Sequence, residues 1–338
     1  IKLFEEDKDM FRFLWIDPNG KVKIFRYCRL MFGLNCSPFL AQFVCLMGAK
    51  MNKHTHPEAY NTLLHSRYVD DVDDSGKEED CVKAVKETQE VLEKTGVKIH
   101  KTLSNSDAVM LAVDQDARLK QWSENEPKPT TFVLGIFWDP NKDILKISTA
   151  NIPTTRIKTK RVFLKVLAGQ FDPFGFICAF MVIAKLILQK MWSKGITWDE
   201  ALPEDLEEEC NEWADQLKEL EQLEIPRHVV IGVVTSIHGF CDSSDIAMNA
   251  TIYVVTADGK VGLVMAKSRV HSLKPRSIQQ KELQSAVLLS QLITEVKRVY
   301  PGVKTTLWTD STTAVAWIMV DDPRKHIVFV HTRVGIIR

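Results

Sequence analysis

The chain has 338 residues, 45% hydrophobic and 26% charged, with 44 basic and 44 acidic side chains. That length suits two or three domains with ample apolar material for cores. Zero formal net charge excludes a global basic field that would recruit nucleic acid, so any such binding falls to local clusters. Cys28, Cys36, Cys45, Cys81, Cys178, Cys210 and Cys241 form no C-x-x-C pair. Such an odd, scattered set reads as reduced thiols in an intracellular protein, not as a disulfide framework or zinc site. His54 and His56 have no further ligand at finger spacing. The longest apolar run, 176–188, is broken by Lys185 and is too short to cross a bilayer. No signal peptide is visible. The opening "IKLFEEDKDMFRFLW" has mid-strand character, which points to a piece of something longer.

In chain order, 11–30 predict a β-hairpin, with "FRFLWI" and "VKIFRYCRL" flanking the turn signal "DPNGK". Ser37 is a plausible cap and Pro38 suits the first turn of a helix. "HSRYVDDV" is a short strand entering an acidic turn. Residues 77–95 predict an amphipathic helix with Val82, Val85, Val91 and Leu92 on one face and Gly96 as the stop. "VKIHKTL" and "TFVLGIFWD" are strand-like. The first 150 residues therefore suit an open sheet with helices on one face.

Residues 151–170 carry Arg156, Lys158, Lys160, Arg161 and Lys165 with no acid. "FDPFGFICAFMVIAKLILQKMW" reads as a buried helix, and "WDEALPEDLEEECNEWADQLKELEQLE" as an acidic one with Trp213 and Leu217 inward. After Pro226 comes a β-rich block with "ADGK" as a hairpin turn, then the helix "IQQKELQSAVLLSQLITEVKRVY", the strand "VKTTLWTDS" and the helix "STTAVAWIM". There are no repeats.

Asp70, Asp71, Asp73 and Asp74 crowd around Val72. Such a cluster is either a solvated turn or a holder of a divalent cation, because Mg²⁺ takes hard carboxylate oxygens. Strand neighbours point to opposite faces, so only one of the Asp70–Asp71 pair need face a metal. "RYCRLMFGLNCSPFLAQF" upstream is what favours the metal reading.

"FGLNCSPF" followed by "YVDD" resembles the reverse transcriptases of retroelements. "GVKIHKTLSNS", "VLGIFWD", "FDPFGF", "AKLILQKMW", "WDEALPE", "IPRHV", "GFCDSSD", "AKSRV", "KELQSAV" and "WTDSTTAVAWI" occur in the order seen in BEL/Pao retrotransposon polyproteins, in the region labelled Pao retrotransposon peptidase (A17). The resemblance covers essentially the whole chain. It implies a multidomain α+β and α/β protein. A partial reverse transcriptase fingers/palm spans 1–105, a strand-rich primer-grip-like segment 106–150, a helical thumb/connection-like segment 151–225, and an RNase H-like mixed sheet with helices, incomplete at its C-terminus, 226–338.

The site residues follow from the same resemblance. Asp70 and Asp71 look like the catalytic metal-binding pair of the palm, with Asp70 favoured as the direct ligand. Tyr68 would support the hairpin and Val69 would lie against the primer end. Phe32, Gly33, Ser37 and Pro38 would meet template and incoming nucleotide. Lys101 would lie near the triphosphate, and Leu134–Gly135 in the primer-gripping hairpin. Asp73 and Asp74 depart from the apolar residues expected there and are read as solvated. Asp242, Glu282 and Asp310 would converge as the carboxylates of an RNase H-like site holding two Mg²⁺, with Mn²⁺ as the alternative. Arg156, Lys158, Lys160 and Arg161 are the candidates for contact with a nucleic-acid backbone.

The implied partners are RNA template, DNA primer, RNA–DNA hybrid, dNTPs and other polyprotein products, with no membrane, in a cytoplasmic retroelement particle or the nucleus. The palm strand carrying a further aspartate would precede Ile1, and a fourth RNase H acid would follow Arg338. Asp7, Asp9 and Asp321–Asp322 are available acids that nothing places in either site. The expectation is failed polymerisation and doubtful hybrid cleavage. Two alternatives stand beside this one. One is an inactive retroelement remnant that retains nucleic-acid binding. The other is an aspartic peptidase built on Asp74-Ser75-Gly76, although the preceding "DDVD" would hold that carboxyl ionised and exposed.

Overall fold

The computed structural model describes residues 1–149, 152–320, 322 and 327–338; Asp321 lies outside them. The chain divides into two compact units. One comprises 1–134 with 139–142, the other 135–138 with 143–338.

In the first unit, β1 (Arg12–Ile16) and β2 (Val22–Arg26) form the expected hairpin, with Leu14 opposite Ile24. Its turn is tied by Asp17, whose Oδ1 accepts from the N–H groups of Asn19 and Lys21 at 2.9 and 3.0 Å. The helix α1 (Ser37–Met51) has Pro38 in its first turn. Cys36, not Ser37, is its N-cap. Ser37 is already helical and buried, and its hydroxyl donates to Met31 O at 2.6 Å.

Next come α2 (Pro57–His65) and a short hairpin of β3 (Arg67–Tyr68) and β4 (Asp71–Val72). The amphipathic helix α3 (Glu78–Lys94) buries Val91 and Leu92 against Cys45, Ala49, Ala59 and Leu63. α4 (Asp107–Ala112) follows, capped by the Ser106 side chain. "VKIHKTL" is not a strand. Lys101 has φ 61°, which breaks the extended run, and a lone bridge from Thr102 to Arg118 remains. The expected open sheet is therefore replaced by small ladders. "TFVLGIFWD" is likewise two arms, β5 (Thr131–Val133) and β6 (Ile136–Asp139), around a turn at Leu134–Gly135.

The second unit continues with β7 (Ile144–Lys146) and three helices, α5 (Lys160–Ala168), α6 (Cys178–Ser193) and α7 (Glu204–Glu219). Their shared core holds Phe163, Ile187, Met191, Trp213 and Leu217, so Trp213 and Leu217 do face inward. Trp213 packs edge-on to Phe163 and stacks on Phe180. The sequence "FDPFG" is a loop rather than helix. Asp172 accepts from the N–H groups of Phe176 and Ile177, and α6 starts only at Cys178.

A two-residue strand, β8 (Ile225–Pro226), pairs with β7. Then β9 (Val234–Ser243), β10 (Ala247–Thr256) and β11 (Val261–Val270) run as an antiparallel meander. The helix α8 (Ile278–Val299) opens with a capping box of Ser277 and Gln280. Its Leu289, Leu292, Ile293 and Val296 cover Ile237, Ala250, Ile252 and Val254 of the sheet. β12 (Lys304–Trp308) joins parallel to β9, giving the order β11-β10-β9-β12. Two helices, α9 (Thr312–Met319) and α10 (Val328–Ile337), complete the described chain. No helix among the described residues is long and apolar enough to cross a membrane.

Candidate functional site

The parallel register of β9 and β12 sets two Asp residues side by side. Trp308 pairs with Phe240, so two residues beyond each, Asp310 and Asp242 leave the same end of the sheet. Both are exposed. The third carboxylate comes from α8, whose second turn passes over that end. Two turns farther along, Gly239 lets α8 lie close on the sheet: a Cβ there would meet Leu289 Cδ1 at 2.7 Å and Leu307 Cδ2 at 2.9 Å.

Ligand oxygens of Asp242, Glu282 and Asp310 all lie within 4.8 Å of one another. Glu282 is 8% exposed, and its Oε2 is buried with no hydrogen-bond partner. Burial, then the charges of Asp242 and Asp310, push its pKa up to about 7. Three hard oxygen donors, one of them buried and unsatisfied, fit a small divalent cation. Among the described residues this is the one grouping of three or more possible ligands so close together.

Asp70 and Asp71 sit on the β3–β4 hairpin, where Tyr68 pairs with Asp71 and Val69–Asp70 form the turn. Val69 has φ 52°, a conformation costly for a β-branched residue. No third ligand joins this pair among the described residues. Asp73 has its pKa raised by burial and by Asp71. Asp74 is exposed yet engaged, since Thr62 Oγ1 and the Ser75 N–H both donate to it. Asp74-Ser75-Gly76 thus lies in an exposed segment, unlike a buried peptidase dyad.

The other expected contact residues are spread over 32–135. Phe32 is 98% exposed beside Gly33, which has φ 87°. Ser37 and Pro38 start α1, and Lys101 is exposed. Leu134 and Gly135 have φ 47° and 85°, as a two-residue primed turn requires. Val69, Lys101 and Leu134, singled out by resemblance alone, are three of the five non-glycine residues with positive φ among the described residues.

The basic stretch needs correction. Lys160 is buried, donates to Ile196 O and lies 3.8 Å from the Trp192 ring centroid and 4.9 Å from that of Trp198. It is an internal cation held by two indoles, not a phosphate contact. Arg161 donates to both oxygens of Asp199 at 2.7 and 2.8 Å, and Arg156 to Glu207 at 2.9 Å. Lys158 is exposed. Sequence reasoning also passed over Ser243, His271 and Lys281 around the triad. A lone histidine in "RVHSLKP" carries no local signal; only the fold brings it near Ser243.

Residues 159–311 match the family model of the Pao retrotransposon-like RNaseH-like domain. A structure of the foamy viral protease-reverse transcriptase dRH in complex with ds DNA is similar at TM-score 0.59 and 14% identity, over 99% of this chain and 52% of that one. A structure of the foamy viral protease-reverse transcriptase in complex with dsDNA gives TM-score 0.50 and 14% identity, over 93% of this chain and 58% of that one. This chain thus spans about half the length of both. At such identity the likeness carries the fold alone. No curated protein matches.

Proposed function

We propose that this chain, whose residues 159–311 match the Pao retrotransposon-like RNaseH-like domain, belongs to a retrotransposon polyprotein and cleaves the RNA strand of RNA–DNA hybrids at Asp242, Glu282 and Asp310. One observation carries the reading: three carboxylates from a strand, a helix and a strand end converge within 4.8 Å around a buried, unpaired Glu282 oxygen. Such an arrangement costs free energy through like-charge repulsion unless a cation offsets it.

Mg²⁺, or Mn²⁺ in its place, is the proposed occupant, held by the three carboxylates. When bound it would lower the pKa of the attacking water and neutralise charge at the scissile phosphate. The residues do the rest. Asp242 and Asp310, exposed at the sheet end, face the incoming backbone. Glu282, buried behind them, is the carboxylate whose proton must leave for the site to fill. Lys158, exposed on the basic stretch, is proposed for a phosphate contact.

The parent polyprotein is proposed to copy RNA into DNA, with Asp70 and Asp71 as its palm pair. The strained Val69 turn supports this part, since strain of this kind is retained where a backbone must hold a particular shape. RNA template, DNA primer and dNTPs are the partners of that activity, in a retroelement particle or the nucleus.

The test is incubation with an RNA–DNA hybrid labelled on either strand, with and without Mg²⁺. The expected result is Mg²⁺-dependent cleavage of the RNA strand, lost on Asp310→Asn. Retention of the hybrid uncut would favour a binding remnant, and unchanged cleavage in Asp310→Asn would overturn the site.

A further inference from the structure

The chemistry of the triad depends on how Asp242 is aimed, and Asp242 sits one residue from the end of β9, where the ladder gives way to the turn at 244–246. Successive strand residues face opposite sides. While Asp242 is exposed, Ser243 therefore points into the covered side, where it is 7% exposed. There its Oγ lies 2.8 Å from His271 Nε2.

His271 directly follows β11 and is 6% exposed. It is held at three points. Its backbone N–H donates to Ile246 O at 2.9 Å, its carbonyl accepts from Gln189 Nε2 of α6 at 2.6 Å, and its ring meets Ser243. Ser243 Oγ also reaches Ser244 O at 3.5 Å, within the turn that follows β9. The same turn is held from the other side by Lys281, which directly precedes Glu282. Its Nζ donates to the carbonyl and the carboxylate of Asp245, each at 2.9 Å.

We propose that Ser243 and His271, anchored by Gln189, are positioning residues that fix the aim of the Asp242 carboxylate toward Glu282 and Asp310. The inference rests on reading the triad as a metal centre. Neither residue touches the ion or the substrate. Both act on the backbone beneath Asp242, as the outer partners of a metal site orient its ligands. A consequence is that α6 reaches the site through a chain of contacts, Gln189 to His271 to Ser243, although no residue of α6 is a ligand.

Calorimetric titration of Mn²⁺ into the whole chain tests this, alongside the melting midpoint of each variant. His271→Phe keeps the bulk and removes the hydrogen bond. His271→Gln keeps a donor. Ser243→Ala and Gln189→Met break the chain on either side of the imidazole. The expected result for His271→Phe and Ser243→Ala is roughly ten- to hundredfold weaker Mn²⁺ binding, with midpoints close to the parent and most of the affinity recovered in His271→Gln. Gln189→Met weakens binding by less.

Parental affinity in His271→Phe and Ser243→Ala, with binding still lost in Asp242→Asn, overturns the positioning role and leaves the metal centre standing. Parental affinity in Asp242→Asn overturns the metal centre itself. If His271→Phe fails to fold, Ser243→Ala and Gln189→Met decide the matter. Loss of affinity that tracks loss of midpoint, without recovery in His271→Gln, assigns a merely structural role and also overturns the proposal.

Discussion

Glu282 brings a carboxyl out of water and sets it between two others, and its response to pH follows from that. Its pKa is pushed from the ordinary 4.5 to about 7, first by burial and then by Asp242 and Asp310. Between those values the metal-free folded chain holds a proton that the unfolded chain has released. Stability therefore falls as pH rises through this window and levels off above it. Glu282→Gln removes the titration, so melting midpoints measured in chelator from pH 5 to 8 should fall less steeply in the variant. An identical slope would contradict the raised pKa. Lys160 is the second residue with a testable interior role. Its ammonium has two indoles and one carbonyl as partners. Lys160→Ala removes those contacts and leaves a void, and should cost about 2–4 kcal/mol in denaturant unfolding. A loss under about 0.5 kcal/mol, the range of an exposed substitution, would contradict the cage. Its burial was not legible in the sequence, because Trp192 and Trp198 reach it from the end of α6 and the loop beyond. "RIKTKR" gives no hint of that meeting.

At the scale of elements, α6 and the loop before it cover the outer edge of the sheet at β11. The Ala266 N–H donates to Phe174 O at 2.7 Å, Lys185 Nζ to Ser268 O at 3.1 Å, and Ser268 Oγ to Cys178 O at 2.6 Å. An uncovered edge strand would be open to pairing with other chains. Gly175 is what allows the loop so close. It has φ 76°, and a Cβ there would sit 1.7 Å from Ala266 O. Gly175→Ala should therefore destabilise the second unit by about 2 kcal/mol or more, read as a lowered denaturant midpoint; an unchanged midpoint would show the edge contact to be dispensable. The strands β9 to β12 and α8 were legible because period-two burial, the "ADGK" turn and a long amphipathic helix all agree there. The strand expected at "VKIHKTL" was not, since apolar alternation cannot reveal the positive φ of Lys101. Ser37 misled for a similar reason: a serine before a proline reads as a cap, but its hydroxyl is taken by Met31 O.

For the whole molecule, the triad is the part of the functional reading that sequence and fold reach independently. Aspartates in "FCDSS" and "WTDST" are ordinary turn chemistry taken singly. They converge because β12 runs parallel to β9 and carries Asp310 to the end where Asp242 stands. The palm-like motif was equally legible, yet its Asp70–Asp71 hairpin gathers no third ligand among the described residues.

The most direct measurement is titration of the metal-free chain with Mn²⁺ at pH 7, repeated in buffers of different ionisation enthalpy. The expected result is saturable binding accompanied by proton release, because Glu282 must give up its proton to become a ligand. Binding should be lost in Asp242→Asn and Glu282→Gln. Absence of binding in the parent, or equal binding without proton release in both variants, would contradict it.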